Sequence, residues 1–125
     1  MADNPVFAVV VDPERNLVRT RFAGDFTGAS LQDAPAQLKA KLQQVKPGFS
    51  VFADFSQVAA MDLDCMGPLT RIMDLCREHA VGLVVRILPA KERDIGINLL
   101  SVVHYRGKVT TVTVETVAEA ERALR

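Results

Sequence analysis

A chain of 125 residues and 13.7 kDa is the length of one ordinary domain, and surface scaling gives it about 6,600 Å² folded against about 19,900 Å² unfolded, enough burial for a core without staples. Hydrophobic residues at 49% and charged residues at 24% match a soluble globular domain and exclude a disordered chain. Fifteen basic residues balance fifteen acidic ones, six of each sign in residues 1–60 and nine of each in residues 61–125, so the basic excess that drives nucleic-acid or anionic-membrane binding is missing.

Val6 to Asp12 is an apolar, β-branched run that stops at Asp12-Pro13, which predicts a strand followed by a tight turn over Pro-Glu-Arg-Asn. Leu17 to Gly24 then carries Arg19 and Arg21 on one side, the pattern of a strand with one wet face, and the two strands are expected to form an antiparallel hairpin. From Ala29 to about Val45, Leu31, Ala34, Leu38 and Leu42 recur at three- and four-residue steps, predicting an amphipathic helix that Lys46-Pro47-Gly48 ends. Phe49 to Phe55 lacks a polar face and is expected as the central strand, covered on both sides. A second helix follows over Asp64 to Ala80, with Met66, Leu69, Met73, Cys76 and Ala80 as its apolar stripe and Asp62 or Asp64 as its cap. Gly82 to Leu88 is a strand, Arg93 to His104 a shorter helix, Val109 to Val114 the last strand and Thr116 to Leu124 a closing helix.

The order is β-β-α-β-α-β-α-β-α. With right-handed crossovers it gives an α/β fold: a mixed, mostly parallel central sheet of about five strands with an N-terminal β-hairpin and about four helices. Residues 1–125 are read as a single domain, without repeats or low-complexity segments.

The N-terminal Met-Ala-Asp-Asn-Pro has neither a basic nor an apolar leader region, and no stretch approaches the ~18 apolar residues of a membrane span. A cytoplasmic protein with no direct membrane insertion is expected. Cys65 and Cys76, eleven apart on one predicted helix, would be separated by about 16 Å along its axis and do not bridge there. With His79 and His104 they form no zinc-ligand spacing. No metal and no cofactor are expected.

Phosphate loops, dinucleotide fingerprints, zinc-protease helices and nucleophile elbows are all missing. The glycine-bounded Gly24-Asp-Phe-Thr-Gly28 reads as a plain strand-to-helix turn, since Asp25 opposes phosphate. The densest cluster runs from Asp54 to Gly67, at the end of the central strand, where ligands and partners of open α/β sheets meet the protein. Asp54, Asp62 and Asp64 fit either a hard-cation or acid/base site, or a helix cap with solvated loop charges. Cys65 in a helix's first turn feels the positive end of the helix dipole, against which Asp62 and Asp64 push the other way, and a small buried helix residue is the alternative to a reactive thiol. Met61, Met66 and Met73 fit core filler or an adaptable contact surface. His104, Tyr105, Arg106 and Lys108 gather in one loop, as a solvated helix end or as contacts to an anion or ligand.

The stretch Asp54-Phe55-Ser56-Gln57-Val58, with Asp62 eight residues after Asp54, resembles the D-L-S-x-V-x-x-x-D-S-S-G-L-G segment of the STAS domain family, the fold of anti-sigma-factor antagonists and of regulatory tails on sulfate transporters. Phe22-Ala23-Gly24-Asp25-Phe26-Thr27 is similar to that family's L-x-G-x-L-D, and with the element order the resemblance covers residues 6 to 124. It implies a non-enzymatic regulatory protein-protein interaction module. In antagonist members the second Ser of D-S-S-G is phosphorylated by a partner kinase; here Leu63, Asp64 and Cys65 replace Ser, Ser and Gly. The resemblance therefore implies that the phosphorylation switch is lost at Asp64, which carries a fixed charge of about −1 in place of a phosphoserine's −1.5 to −2.

The expected partner is a regulatory protein: an anti-sigma kinase, a transporter or another signalling protein. Its contacts are expected from the loop between Ser56 and Asp64, through Asp62, Leu63, Cys65 and Met66, and from the helix face carrying Arg71 and Asp74. The alternative is a small-molecule or anion sensor in which His104, Arg106 and Lys108 line a pocket. Homodimerisation is left open.

Overall fold

Pro13 has no N–H for a ladder and Asn16 takes a left-handed conformation (φ 51°), so the chain reverses between two extended runs. The Asn16 amide then clasps the connection between the first helix and the central strand: its Nδ2 donates to the Lys46 carbonyl at 3.1 Å and its Oδ1 accepts from the Lys46 N–H at 2.8 Å. The computed structural model describes residues 7–61, 63–88 and 109–124. Its elements are β1 (Phe7–Asp12), β2 (Leu17–Phe26), α1 (Ala34–Leu42), β3 (Ser50–Met61), a 3-10 turn (Leu63–Cys65), α2 (Met66–Glu78), β4 (Leu83–Ile87), β5 (Thr110–Val114) and α3 (Val117–Ala123).

The strands lie in the order β1-β2-β3-β4-β5. β1 runs antiparallel to β2, and the β2–β3, β3–β4 and β4–β5 pairs are parallel. This is the mixed, mostly parallel α/β sheet with an N-terminal hairpin that the sequence predicts. Three α-helices stand among the described residues; the predicted helix from Arg93 to His104 lies outside them.

The β2, β3 and β4 side chains alternate between two covered faces. Beneath α1 and α2, Phe22 stacks on Phe55 at 4.4 Å between ring centroids and tilts against Phe7 at 5.1 Å. Leu38 and Leu42 of α1 and Leu69, Ile72 and Leu75 of α2 close over Val18, Val51 and Val84 in the same cluster. On the opposite face Leu17, Phe52, Val85 and Ile87 gather around Ala120 of α3. There the Arg19 guanidinium lies 5.9 Å from the centre of the Phe52 ring and 2.6 Å from the Glu121 carboxylate.

Two connections touch backbone to backbone. The Gly48 N–H donates to the Ala80 carbonyl at 2.7 Å and the Gly82 N–H to the Phe49 carbonyl at 2.8 Å. A Cβ on Gly82 would lie 2.8 Å from the Gly48 oxygen, so only glycine fits.

Three predicted elements are corrected. The first helix begins at Ala34 rather than Ala29: Pro35 has no N–H to give the Leu31 carbonyl, which accepts from Ala34 N–H at 3.1 Å instead, leaving turns over residues 28–33. The central strand continues past Phe55 to Met61, six residues beyond the run expected from its lack of a polar face. The buried row of α2 is Leu69, Ile72, Leu75 and Cys76, and Met66 is 44% exposed. Cys65, four residues before Leu69, holds the inward position, and Met66 is turned about 100° away from it.

Candidate functional site

β4 pairs with β3 only as far as Asp54↔Ile87, while β3 and β2 run on together to Phe26↔Met61. The ladder between them slips twice, between Arg21 and Ala23 and again between Gly24 and Asp25. At the first slip the Asp54 Oδ1 accepts from the Ser56 N–H at 2.9 Å and from the Ser56 Oγ–H at 2.6 Å, an Asx turn folded into the strand. The segment from Ser56 to Met61, expected as an open loop, is therefore a bulged strand, with Ser56 half-buried and Val58 fully buried. Asp54 spends its carboxylate on this turn.

This two-stranded arm delivers the chain to the 3-10 turn and the start of α2. Opposite, the turn after β2 is fixed by reciprocal bonds: Thr27 N–H donates to Ser30 Oγ at 2.9 Å and Ser30 N–H to Thr27 Oγ1 at 3.0 Å. Ser30 Oγ–H also faces the Asp25 carbonyl at 2.9 Å. The two turns meet at Gly28, where an added Cβ would lie 3.0 Å from both the Cβ and the carbonyl oxygen of Asp64. Asp64 is thus held against a rigid neighbour with its carboxylate exposed.

Asp64 does not cap α2, contrary to expectation. The N-cap position is Cys65, at φ −72°, ψ −14°, with no side-chain cap, because the chain enters the helix through an already helical 3-10 turn and not from the extended backbone of a capping residue. Asp62, the other candidate, lies outside the described residues. Among the described residues no group of three or more His, Cys, Asp or Glu is placed to hold a metal ion.

From the turn the exposed surface continues along α2. Met66, Gly67, Thr70, Arg71, Arg77 and Glu78 are exposed and Asp74 is half-buried. Arg71 reaches Glu78 at 3.3 Å and Arg77 reaches Asp74 at 2.8 Å. Exposed pairs of this kind each contribute about 0–1 kcal/mol, so another molecule can replace them at little cost. Met73 is half-buried against the core, as core filler would be.

Cys65, expected among the contact residues, is fully buried and presents no surface; its inward position follows from its four-residue spacing to Leu69. Cys76 is buried as well, and neither thiol is in a disulfide. His104, Arg106 and Lys108 lie outside the described residues. What sequence reasoning missed is the Gly28–Asp64 contact and the Thr27–Ser30 pair; the Thr-x-x-Ser spacing was the available signal for the latter. It also missed Arg86, buried in β4, whose Nε–H donates to Thr113 Oγ1 at 2.9 Å. Arg86 and Thr20 border a cavity of about 30 Å³ between the sheet and α2, otherwise lined by apolar groups such as Phe22, Ile72 and Met73. That is room for one or two waters.

No protein-family model and no curated protein matches the sequence. Solved structures do match in three dimensions. The anti-sigma factor antagonist SpoIIAA in its unphosphorylated form superposes with a TM-score of 0.63 at 13% identity, covering 94% of each chain. An uncharacterized protein of the DUF3478 family from Shewanella loihica, described as having a SpoIIAA-like fold, superposes with a TM-score of 0.67 at 13% identity, covering 100% of this chain and 99% of the other. The chain has the SpoIIAA-like, STAS fold. None of its described helices is long and apolar enough to cross a membrane.

Proposed function

We propose that this chain is a non-enzymatic regulatory module that binds a partner protein, in the manner of anti-sigma-factor antagonists, through the turn at Leu63–Cys65 and the exposed face of α2. The observation that carries this reading is the placing of Asp64: an exposed carboxylate, braced from behind by Gly28, at one end of a surface that continues through Met66 to Arg71 and Asp74. A methionine 44% exposed beside replaceable ion pairs suits recognition by packing with a charged rim. The likeness to a solved anti-sigma factor antagonist supports the same reading. The partner is a regulatory protein: an anti-sigma kinase, a transporter or another signalling protein.

At Asp64 the family's phospho-acceptor serine is replaced by a group that no Ser/Thr kinase modifies. Binding is then set by a permanent single negative charge and not switched by phosphate. The alternative of a small-molecule or anion sensor rests on His104, Arg106 and Lys108, which lie outside the described residues.

The test is to recover partners from the native host with purified protein and to measure the affinity of the partner for wild type and for Asp64→Lys. The charge reversal is expected to weaken binding at least tenfold, or by ~1.4 kcal/mol. Incubation with candidate kinases and ATP is expected to leave the turn unmodified. Recovery of no protein partner, together with an Asp64→Lys variant indistinguishable from wild type, overturns the proposal, and phosphate on this turn overturns the lost switch.

A further inference from the structure

Edge strands of sheets that stay single are normally blunted by lysine, proline, a bulge or a charge, because their outward N–H and C=O groups pair with any strand that arrives. β1 has none of these before its last residue: Phe-Ala-Val-Val-Val-Asp, paired with β2 in unbroken register from Phe7↔Phe22 to Asp12↔Leu17. Among the described residues no strand flanks its outer side. Phe7, Val9 and Val11 belong to the core under α1 and α2. Alternation puts Ala8, Val10 and Asp12 on the opposite face, and Val10 is 61% exposed, the most exposed large apolar residue described. Arg21 stands on that face as the β2 neighbour of Ala8. It is exposed, and it has no ion-pair partner among the described residues, whereas Arg19 is held by Glu121.

We infer that two copies of this chain join edge to edge through antiparallel β1 strands, about a two-fold axis at Val10, with Asp12 of each copy beside Arg21 of the other. Residues directly opposite across the seam must share a face, which restricts the registers to those whose paired numbers add to an even sum. Centring the axis on Val10 sets Val10 against Val10 and Ala8 against Asp12. Arg21 and the other copy's Asp12 then flank a single alanine, two strand spacings or about 10 Å apart at the backbone, and the long arginine side chain reaches across the methyl group between them. Centring it on Val9 carries Asp12 past the described end of the facing strand and away from any cation. Centring it on Val11 sets Asp12 across Val10 from Arg19, a cation that Glu121 already holds. Of these registers the one at Val10 therefore places Asp12 beside the arginine without an ion-pair partner among the described residues, and the two-fold makes the contact twice and closes the assembly at a dimer. The seam lies on the sheet edge and does not involve Asp64 or α2, so this inference stands or falls independently of the proposed function.

Sedimentation velocity over the concentration range of an NMR sample is expected to show a monomer–dimer equilibrium. Val10→Lys should give a monomer at every concentration with an unchanged circular-dichroism spectrum. Arg21→Asp should weaken association at least tenfold, and the doubly reversed Arg21→Asp, Asp12→Arg chain should recover it. Oxidised Val10→Cys should cross-link to a dimer through position 10, since Cys65 and Cys76 are buried and opposed residues lie within disulfide reach. Val112→Cys, at an exposed position on the other edge strand β5, should not. A wild type that stays monomeric overturns the inference, as does association that survives Val10→Lys. So does growth beyond a dimer, failure of the double reversal to restore binding, or equal cross-linking from Val112→Cys.

Discussion

The face of the sheet under α1 and α2 is closed by a continuous aromatic and aliphatic cluster around Phe22, Phe55 and Leu69. The face under α3 is closed by a seven-residue helix that contributes the small, fully buried Ala120 and a carboxylate, Glu121, reaching Arg19 at 2.6 Å and Arg15 at 3.5 Å. The first face is held by burial, which is large and does not itself titrate. Among the described residues the second adds to its smaller apolar cluster a cap, a cation over a ring and exposed ion pairs, each small, the ion pairs depending on pH and salt. Among the described residues the larger share of burial thus lies on one side of the sheet, and the Glu121 ion pairs, which salt and pH weaken, lie on the other.

Three substitutions measure that asymmetry. Phe22→Ala removes a ring stacked on Phe55 and tilted against Phe7 and should cost about 3–5 kcal/mol in denaturant unfolding. A loss below about 1 kcal/mol would show that burial under α1 and α2 is not what holds the fold. Thr116→Ala removes the side chain that accepts the Glu119 N–H at 3.1 Å at the start of α3. It should cost about 1 kcal/mol and show as faster amide exchange confined to α3; slower or unchanged exchange there would remove the distinction between the faces.

Glu121→Gln should be the mildest, under about 1 kcal/mol, because the pair is partly exposed. The hydrogen bond from Arg19 holds the Glu121 carboxyl below its ordinary value of 4.5, opposed by desolvation and aided by the charges of Arg19 and Arg15. A depressed carboxyl stabilises the fold fully above its unfolded value and loses that contribution as pH falls through the folded one. Wild type should therefore lose stability relative to Glu121→Gln as pH drops below about 4.5, and the gap between the two at neutral pH should shrink in high salt. A gap that persists at pH 3 would assign the effect to packing.

The elements that sequence reading located are those in which local pattern and tertiary environment agree. Phe7 to Asp12 and Leu17 onward carry extended apolar patterns bounded by Pro13 and Asn16, and both are strands. The misplacements arise where tertiary contacts or a single residue override the local pattern. Asp54 and Ser56 look like the start of a loop, yet their hydrogen bonds turn a bulge inside β3. Pro35 lies inside a run that is apolar at helical spacing, yet the ring forces the helix to begin beside it. On α2 two stripes one residue apart were available, and only contact with the sheet chooses Cys65, Leu69, Ile72 and Cys76 over Met66 and Met73. At the site, the exposure of Asp64 and Arg71 was legible from their polar positions, whereas Met66 sat on the predicted apolar stripe. The bracing of Asp64 by Gly28 joins residues thirty-six apart and has no local signature.

The two slips in the β2–β3 ladder move the partner offset from 33 residues at Leu17↔Ser50 to 34 at Gly24↔Val58 and 35 at Phe26↔Met61. An odd change inverts inside and outside, and a second one restores them. The arm that carries the Asp64 turn is consequently adjustable only in pairs of residues. Loss of one residue between Phe55 and Ala60 would send Val58 to solvent, whereas loss of two would leave every orientation intact and draw the turn back by about 6.6 Å. Reach and orientation are thus uncoupled here, and a chain shortened by two residues would set the same acidic tip lower above one unchanged sheet.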